Sequence, residues 1–314
     1  MIERVLVLIT HLPKGNKMHQ TNENWLPRLL LSIVYTLGIL GIVASGGGGG
    51  GDDDVTLNFP TPTLPAGAVV LAHPANAEDV AEDAVETLAL LNLFGDLLEL
   101  KTGAPPAIAH VIRQTTNQFY KRDPNTPSVA TGVREDVSAD FCTGPGGGSA
   151  IANVSETATS ARVRVDFTDC DIGGIAVVNG DISLSATWNE TTLDYTLRIG
   201  GTLVVSDGIN PDVTFVFDID TSGNDGTGAF SSTASFSVDG GPNGSYLVTT
   251  TTPIEGDFNS GDYTPGGILI VEGGNNTRLR ITIIAGNFAT VELDDGLGGG
   301  FLNVGIPNIM LPPL

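Results

Sequence analysis

In six stretches between Arg162 and Ile284 apolar and polar residues alternate, and that period of two constrains the fold more than any other feature of the chain. Arg162–Thr168 carries Val163, Val165 and Phe167 on one side. Asp181–Trp188 carries Ile182, Leu184, Ala186 and Trp188, with Ser183, Ser185 and Thr187 between them. The same pattern returns in Leu193–Ile199, Val213–Ile219, Ala229–Val238 and Arg278–Ile284. Strands with one apolar and one Ser/Thr-rich face belong to antiparallel sheets. No helical stretch separates them, so βαβ folds are excluded. About ten to twelve short strands are expected between Ala150 and Val304, enough that the sheet must curl, sandwich or close. Asn179-Gly180 reads as a two-residue hairpin turn. Gly200-Gly201, the Asp239–Gly244 stretch and Gly273-Gly274-Asn275-Asn276 read as further turns.

Ahead of the β region lies a helical one. Asn76 is placed to cap a helix over Ala77–Leu100, with Val80, Ala84, Leu88, Leu91 and Leu98 at helical spacing. Pro105-Pro106 opens a second helix from Ala107 to about Arg122. The expected fold is mainly β with a small α part, a helical hairpin packed on a large antiparallel sheet (curled sheet, open barrel or sandwich). The expected organisation is a signal region over 1–45, a Gly/Asp/Pro-rich tether over 46–66, the hairpin over 67–125 and the β domain over 136–314. An outer-membrane barrel is disfavoured. Aromatic residues make up 6% of the chain, too few for interfacial girdles, and the end Pro312-Pro313-Leu314 is poor strand material.

Leu29–Ala44 is uncharged, flanked by Arg28 and followed by small residues, the layout of an export signal; Met18 is a plausible start for it. Ile42-Val43-Ala44-Ser45, the Gly46–Gly51 run and Asp52-Asp53-Asp54 resemble the signal end of Gram-negative bacterial lipoproteins. The resemblance covers about 25 residues. Ser45 stands where those proteins carry the lipidated cysteine, and serine forms no thioether, so no lipid attachment is expected. Membrane association is expected through the N-terminal segment alone. The chain has two cysteines, Cys142 and Cys170, and an even pair in an exported chain points to a disulfide. Their midpoint falls in the polar stretch Ser155–Ser160, so a hairpin turning there would bring them together. A second resemblance rests on Phe141-Cys142, Val165–Cys170, Asn179-Gly180, Gly266–Ile270 and Arg278–Ile281. These look like uncharacterised β-rich lipoproteins of Gram-negative bacteria, a group that implies the fold and no activity.

Fourteen basic against 36 acidic residues give a net charge of −22, which excludes nucleic acid as a partner by bulk electrostatics. Asp218, Asp220, Ser222 and Gly223 have the spacing of the first half of a calcium loop, but Ala229 stands where the bidentate Glu belongs. They are weak candidates for structural calcium, as is the Asp294–Gly298 turn, and no other cofactor is expected. Gly46, Gly48 and Gly51 match a phosphate-loop pattern trivially, and Gly144–Gly148 reads as a loop beside Cys142. His73 and His110, the histidines beyond the signal, have no nucleophile or ligand set around them in the sequence. No catalytic residue is assigned. The reading is a non-enzymatic protein of the periplasm or cell surface of a Gram-negative bacterium, with a binding or structural role. A protein partner and self-association through sheet edges stay open. The alternative is a carrier holding a lipid or other apolar ligand between the sheet and helix 77–100.

Overall fold

The computed structural model describes residues 55–71, 74–87, 130–136, 138–157, 159–174, 176–189, 191–208, 211–241 and 243–312. Among them one sheet dominates. Its strands are β1 (Ala130–Asp136), β2 (Ser149–Glu156), β3 (Ser160–Ile172), β4 (Ala176–Trp188), β5 (Asp194–Ser206), β6 (Val213–Asn224) and β7 (Ala229–Gly241). They continue as β8 (Gly244–Thr252), β9 (Ile254–Asp257), β10 (Asp262–Thr264), β11 (Ile268–Glu272), β12 (Arg278–Ile284), β13 (Phe288–Asp294) and β14 (Ile309–Met310). Every pairing is antiparallel. The order is β1 to β8 and then β11 to β14, with β9 also on β7 and β10 on β9. Pro253 separates β8 from β9 because it has no N–H to give the ladder. β1 and β14 end the sheet without meeting each other, so it is open rather than a closed barrel.

The period of two is the burial pattern itself. In β6, Val213, Phe215, Phe217 and Ile219 are buried, while Thr214, Val216 and Asp218 are half-buried on the other face. Phe215, Phe217, Phe236, Leu203 and Leu269 belong to one continuous core that runs from β2 to β14. A sheet this wide covers one face against itself only by curling. Helix α1 (Pro74–Thr87) packs on β12, β13 and β14. Its buried residues Ala77, Val80, Ala81, Ala84 and Val85 are small, which lets the helix approach the strands closely.

Several expectations are corrected. Asn179-Gly180 is no turn: both lie inside β4, opposite Val204 and Leu203 of β5. The β3–β4 connection instead uses Gly173 and Gly174, both at positive φ. Gly180 (φ +119°) faces Phe167 where β3 bulges, and a side chain there would run into the Thr202 carbonyl. Gly200-Gly201 likewise lies within β5. The central strands are therefore 12 or 13 residues long rather than short. Helix α1 begins at Pro74, whose fixed φ suits a first helical position, so Asn76 is inside the helix and not its cap. The rest of helix 77–100, the second helix with His110, the signal region with Ser45, the Gly46–Gly51 run and His73 lie outside the described residues. A short helix α2 (Ser138–Phe141), absent from the sequence reading, precedes Cys142.

Candidate functional site

The Cys142–Cys170 disulfide is present, with Cα atoms 4.8 Å apart. The route to it differs from the expected hairpin. The β2–β3 pair does turn at 157–160, but its register sets Ser149 opposite Thr168, so Cys142 lies beyond the ladder. The Gly144–Gly148 loop folds back to bring it in. Gly144 N–H donates to the Asp171 carbonyl, and Asp171 N–H donates to the Gly147 carbonyl, each at 2.8 Å. The Asp171 carboxylate accepts the N–H groups of Gly146 (2.6 Å) and Gly174 (2.8 Å). A side chain at Gly144 would overlap that carboxylate, which explains the glycine run without a phosphate. The β3 bulge turns Cys170 inward, where it is fully buried.

The outer face carries the charges. Cross-strand pairing aligns Arg134, Asn153, Arg164, Ser183, Gly200, Asp218, Ser235 and Thr249 in one row from β1 to β8. Arg198 on β5 donates from Nε and Nη2 to the two oxygens of Asp218 at 2.8 and 2.7 Å, and lies 3.7 Å from Asp220. That bond to Asp218 raises the guanidinium pKa further. Desolvation raises Asp220 above the usual carboxylate value, with Arg198 opposing it and Asp218 adding to it. Asp218, Asp220 and Ser222 thus stand on one face of strand β6, paired on both sides, and not in a loop that could wrap an ion. Their one-three-five spacing is the period of the strand. Among the described residues no group of three or more His, Cys, Asp or Glu side chains is gathered as for a metal.

Part of this face is covered by the chain's own N-terminal segment, a strap over residues 55–65. Asn58 N–H donates to Ser183 Oγ at 2.8 Å, and its side-chain amide donates to both Asp181 oxygens at 3.1 and 3.2 Å. The Phe59 ring lies 4.3 Å from the Arg198 guanidinium, and its Cδ1 would stand 3.0 Å from a Cβ at Gly200. Arg164 donates to the Thr56 carbonyl at 3.4 Å and pairs with Asp166 at 2.8 Å. Ser183 is wholly buried here although it points away from the core. Val69 and Leu71 then cross the turn at 274–276, bonding Ser245, Gly274 and Thr277. A side chain at Gly273 or Gly274 would meet the Val69 or Ala68 carbonyl, so this glycine pair is both turn and crossing point.

A second covered region lies at β12–β13. Phe301 sits over Arg278 (5.2 Å) and Arg280 (4.8 Å), which pair with Asp294 (2.6 Å) and Glu292 (2.7 Å). The bond from Arg278, joined by Gly296 N–H, holds Asp294 below the usual carboxylate range. Beside it is an open cleft of about 560 Å³ lined by Leu64, Glu272, Asn275, Asn276 and Arg278 among others. On the inner face a second row runs Trp188, Tyr195, Gly223, Phe230, Gly256, Tyr263. The Tyr195 and Tyr263 hydroxyls are buried without a hydrogen-bond partner, and burial raises both phenol pKa values, with Asp225 adding to the effect at Tyr195. Sequence reading found neither this row nor the strap seat. Among the described residues no helix is long and apolar enough to cross a membrane. Compared with protein-family models, curated proteins and solved structures, the chain matches none.

Proposed function

We propose that the chain is a non-enzymatic protein exported to the periplasm or surface of a Gram-negative bacterium, where its sheet serves binding or assembly. The observation that carries the reading is the Cys142–Cys170 disulfide, because such bonds form and persist in oxidising compartments. The Leu29–Ala44 run supports export on sequence grounds. Support for binding comes from the outer face, whose polar groups take an extended peptide segment in an ordered seat. The test is export of the full chain in a Gram-negative host, followed by fractionation and intact mass. Periplasmic or surface material, cleaved near Ser45 and two hydrogens light for the disulfide, is the expected result. Cytoplasmic, reduced and uncleaved protein refutes it.

A second reading, a carrier of a lipid or other apolar ligand between the sheet and helix 77–100, is favoured by one observation. The buried Tyr195 and Tyr263 hydroxyls are polar tips without a partner on a largely apolar face, where the buried Thr221 and Ser232 hydroxyls bond each other. Against it, the described part of the helix fills its contact with β12–β14 using close-packed Ala and Val. Native mass spectrometry of the exported protein, purified without detergent, decides between them. Lipid-sized adducts support the carrier, and a bare chain removes it.

A further inference from the structure

We propose that the outer-face track over β3–β5 is a peptide-recognition site whose trans ligand is the strap, residues 55–65, of a second copy of this chain. The inference deepens the assembly reading by naming the partner, and it stands apart from export because it is tested on purified protein.

The site is built rather than incidental. A residue pointing out of a one-sided sheet normally meets water, yet Ser183 is wholly buried and Asp181 nearly so. Both face the strap through hydrogen bonds, one to the Asn58 main chain and two to its side chain. Main-chain capture gives affinity for any extended segment, and the Asn58 amide read by Asp181 adds sequence selection. Next along the strap, Phe59 lies on a guanidinium held flat by two bonds to Asp218. Gly200, alone of its cross-strand neighbours in lacking a side chain, leaves the space that the ring fills. The occupant is pre-organised too. Pro60, Pro62 and Pro65 fix three backbone φ angles, so little entropy is lost when the segment docks.

The track therefore reads an Asn-aromatic-Pro segment in extended form, and every copy of the chain carries one. Among the described residues the strap joins the body through one exposed turn, closed by Ala68 N–H on the Pro65 carbonyl at 3.3 Å with Gly67 at φ +84°. Opening that turn frees the strap to reach another copy without disturbing the core. Exchange of an identical element through a short hinge is a low-cost route to a dimer.

Two full-length variants test this. In one, Asn58→Ala with Phe59→Ala removes the strap's side-chain contacts to Asp181 and Arg198 and leaves the track intact. In the other, Ser183→Val with Arg198→Thr spoils the track and leaves the strap intact. Each alone is expected to run as a monomer in size-exclusion light scattering. Mixed, they should form a heterodimer of one copy of each, because the empty track of the first takes the undocked strap of the second. Two folded variants, by circular dichroism, that stay monomeric when mixed overturn the proposal. Should the track variant fail to fold, a labelled synthetic peptide of residues 55–65 is titrated onto the strap variant. Saturable binding, weakened at least about tenfold (about 1.4 kcal/mol) by scrambling the peptide, supports the proposal. No binding, or equal binding of the scrambled peptide, overturns it.

Discussion

Reducing the Cys142–Cys170 bond should cost the fold more than any single surface interaction. The bond closes a loop with a sequence separation of 28 residues. In the chain-entropy treatment a loop of that size removes about 12 cal/mol/K from the unfolded ensemble, or about 3.6 kcal/mol at room temperature. The native side changes little on reduction. Asp171 still accepts Gly146 and Gly174, and the β2–β3 ladder still holds, so the loss falls on the unfolded chain. For a domain of this size about 3.6 kcal/mol corresponds to a fall in Tm of about 7–14 °C. The assay compares oxidised and reduced wild-type protein in thermal and urea melts, with Cys142→Ser/Cys170→Ser as a third sample. Reduced wild type and double mutant should melt together, well below the oxidised form. A difference under about 1 kcal/mol would refute the reasoning, because it would mean that the reduced unfolded chain stays as restricted as the bridged one.

Phe217→Ala, which empties a wholly buried aromatic position in β6, should cost about 3–5 kcal/mol in a urea melt. Tyr195→Phe and Tyr263→Phe should leave stability equal or higher by about 1 kcal/mol, since each removes a buried hydroxyl that has no partner; under the carrier reading the same variants would instead lose a bound mass. Hydrogen bonds lower Asp294 (from Arg278), Asp194 (from Asn224) and Asp136 (from Ser138). Carboxylates depressed in this way contribute stability above their unfolded value near about 4 and lose it as pH falls through their folded values, so melting temperature should drop below about pH 4, and Asp294→Asn should flatten that drop.

The strands were legible because burial on one face writes itself into sequence at a period of two, as in Val213–Ile219. The errors came where one residue type serves two purposes. Gly180 and Gly200-Gly201 carry the same letters as a turn, but in a long strand glycine also marks a bulge or a close approach, and local sequence does not separate these. The calcium spacing is ambiguous for a related reason. Oxygens at alternate positions describe a binding loop, and they equally describe the outer face of a strand such as β6. The disulfide was read correctly from a register that the strands do not adopt, since the bulge and the folded-back glycine loop both lie outside any periodicity. In sequence the strap is indistinguishable from a tether. A proline-rich extended segment has no internal hydrogen bonds to betray its partners, and its partners are more than a hundred residues away in sequence.

One pattern joins the two covered regions of the outer face and accounts for three of the arginines in so acidic a chain. Arg198 lies under Phe59, and Arg278 and Arg280 lie under Phe301, each with its edge bonded to a carboxylate on the neighbouring strand. A guanidinium suits this place because it is planar. Its rim of N–H groups satisfies the acids within the sheet while its face remains free for a ring from above. A sheet surface bearing acids alone would offer a crossing aromatic segment no such platform. Lysine keeps the charge but loses both the two-point bond and the flat face. Arg198→Lys should therefore leave the core intact, with an unchanged near-ultraviolet spectrum, while amides 57–59 exchange with deuterium faster than in wild type. Unaltered exchange there would show that the Asn58 bonds to Asp181 and Ser183 hold the strap unaided, and that the stacked guanidinium is a bystander.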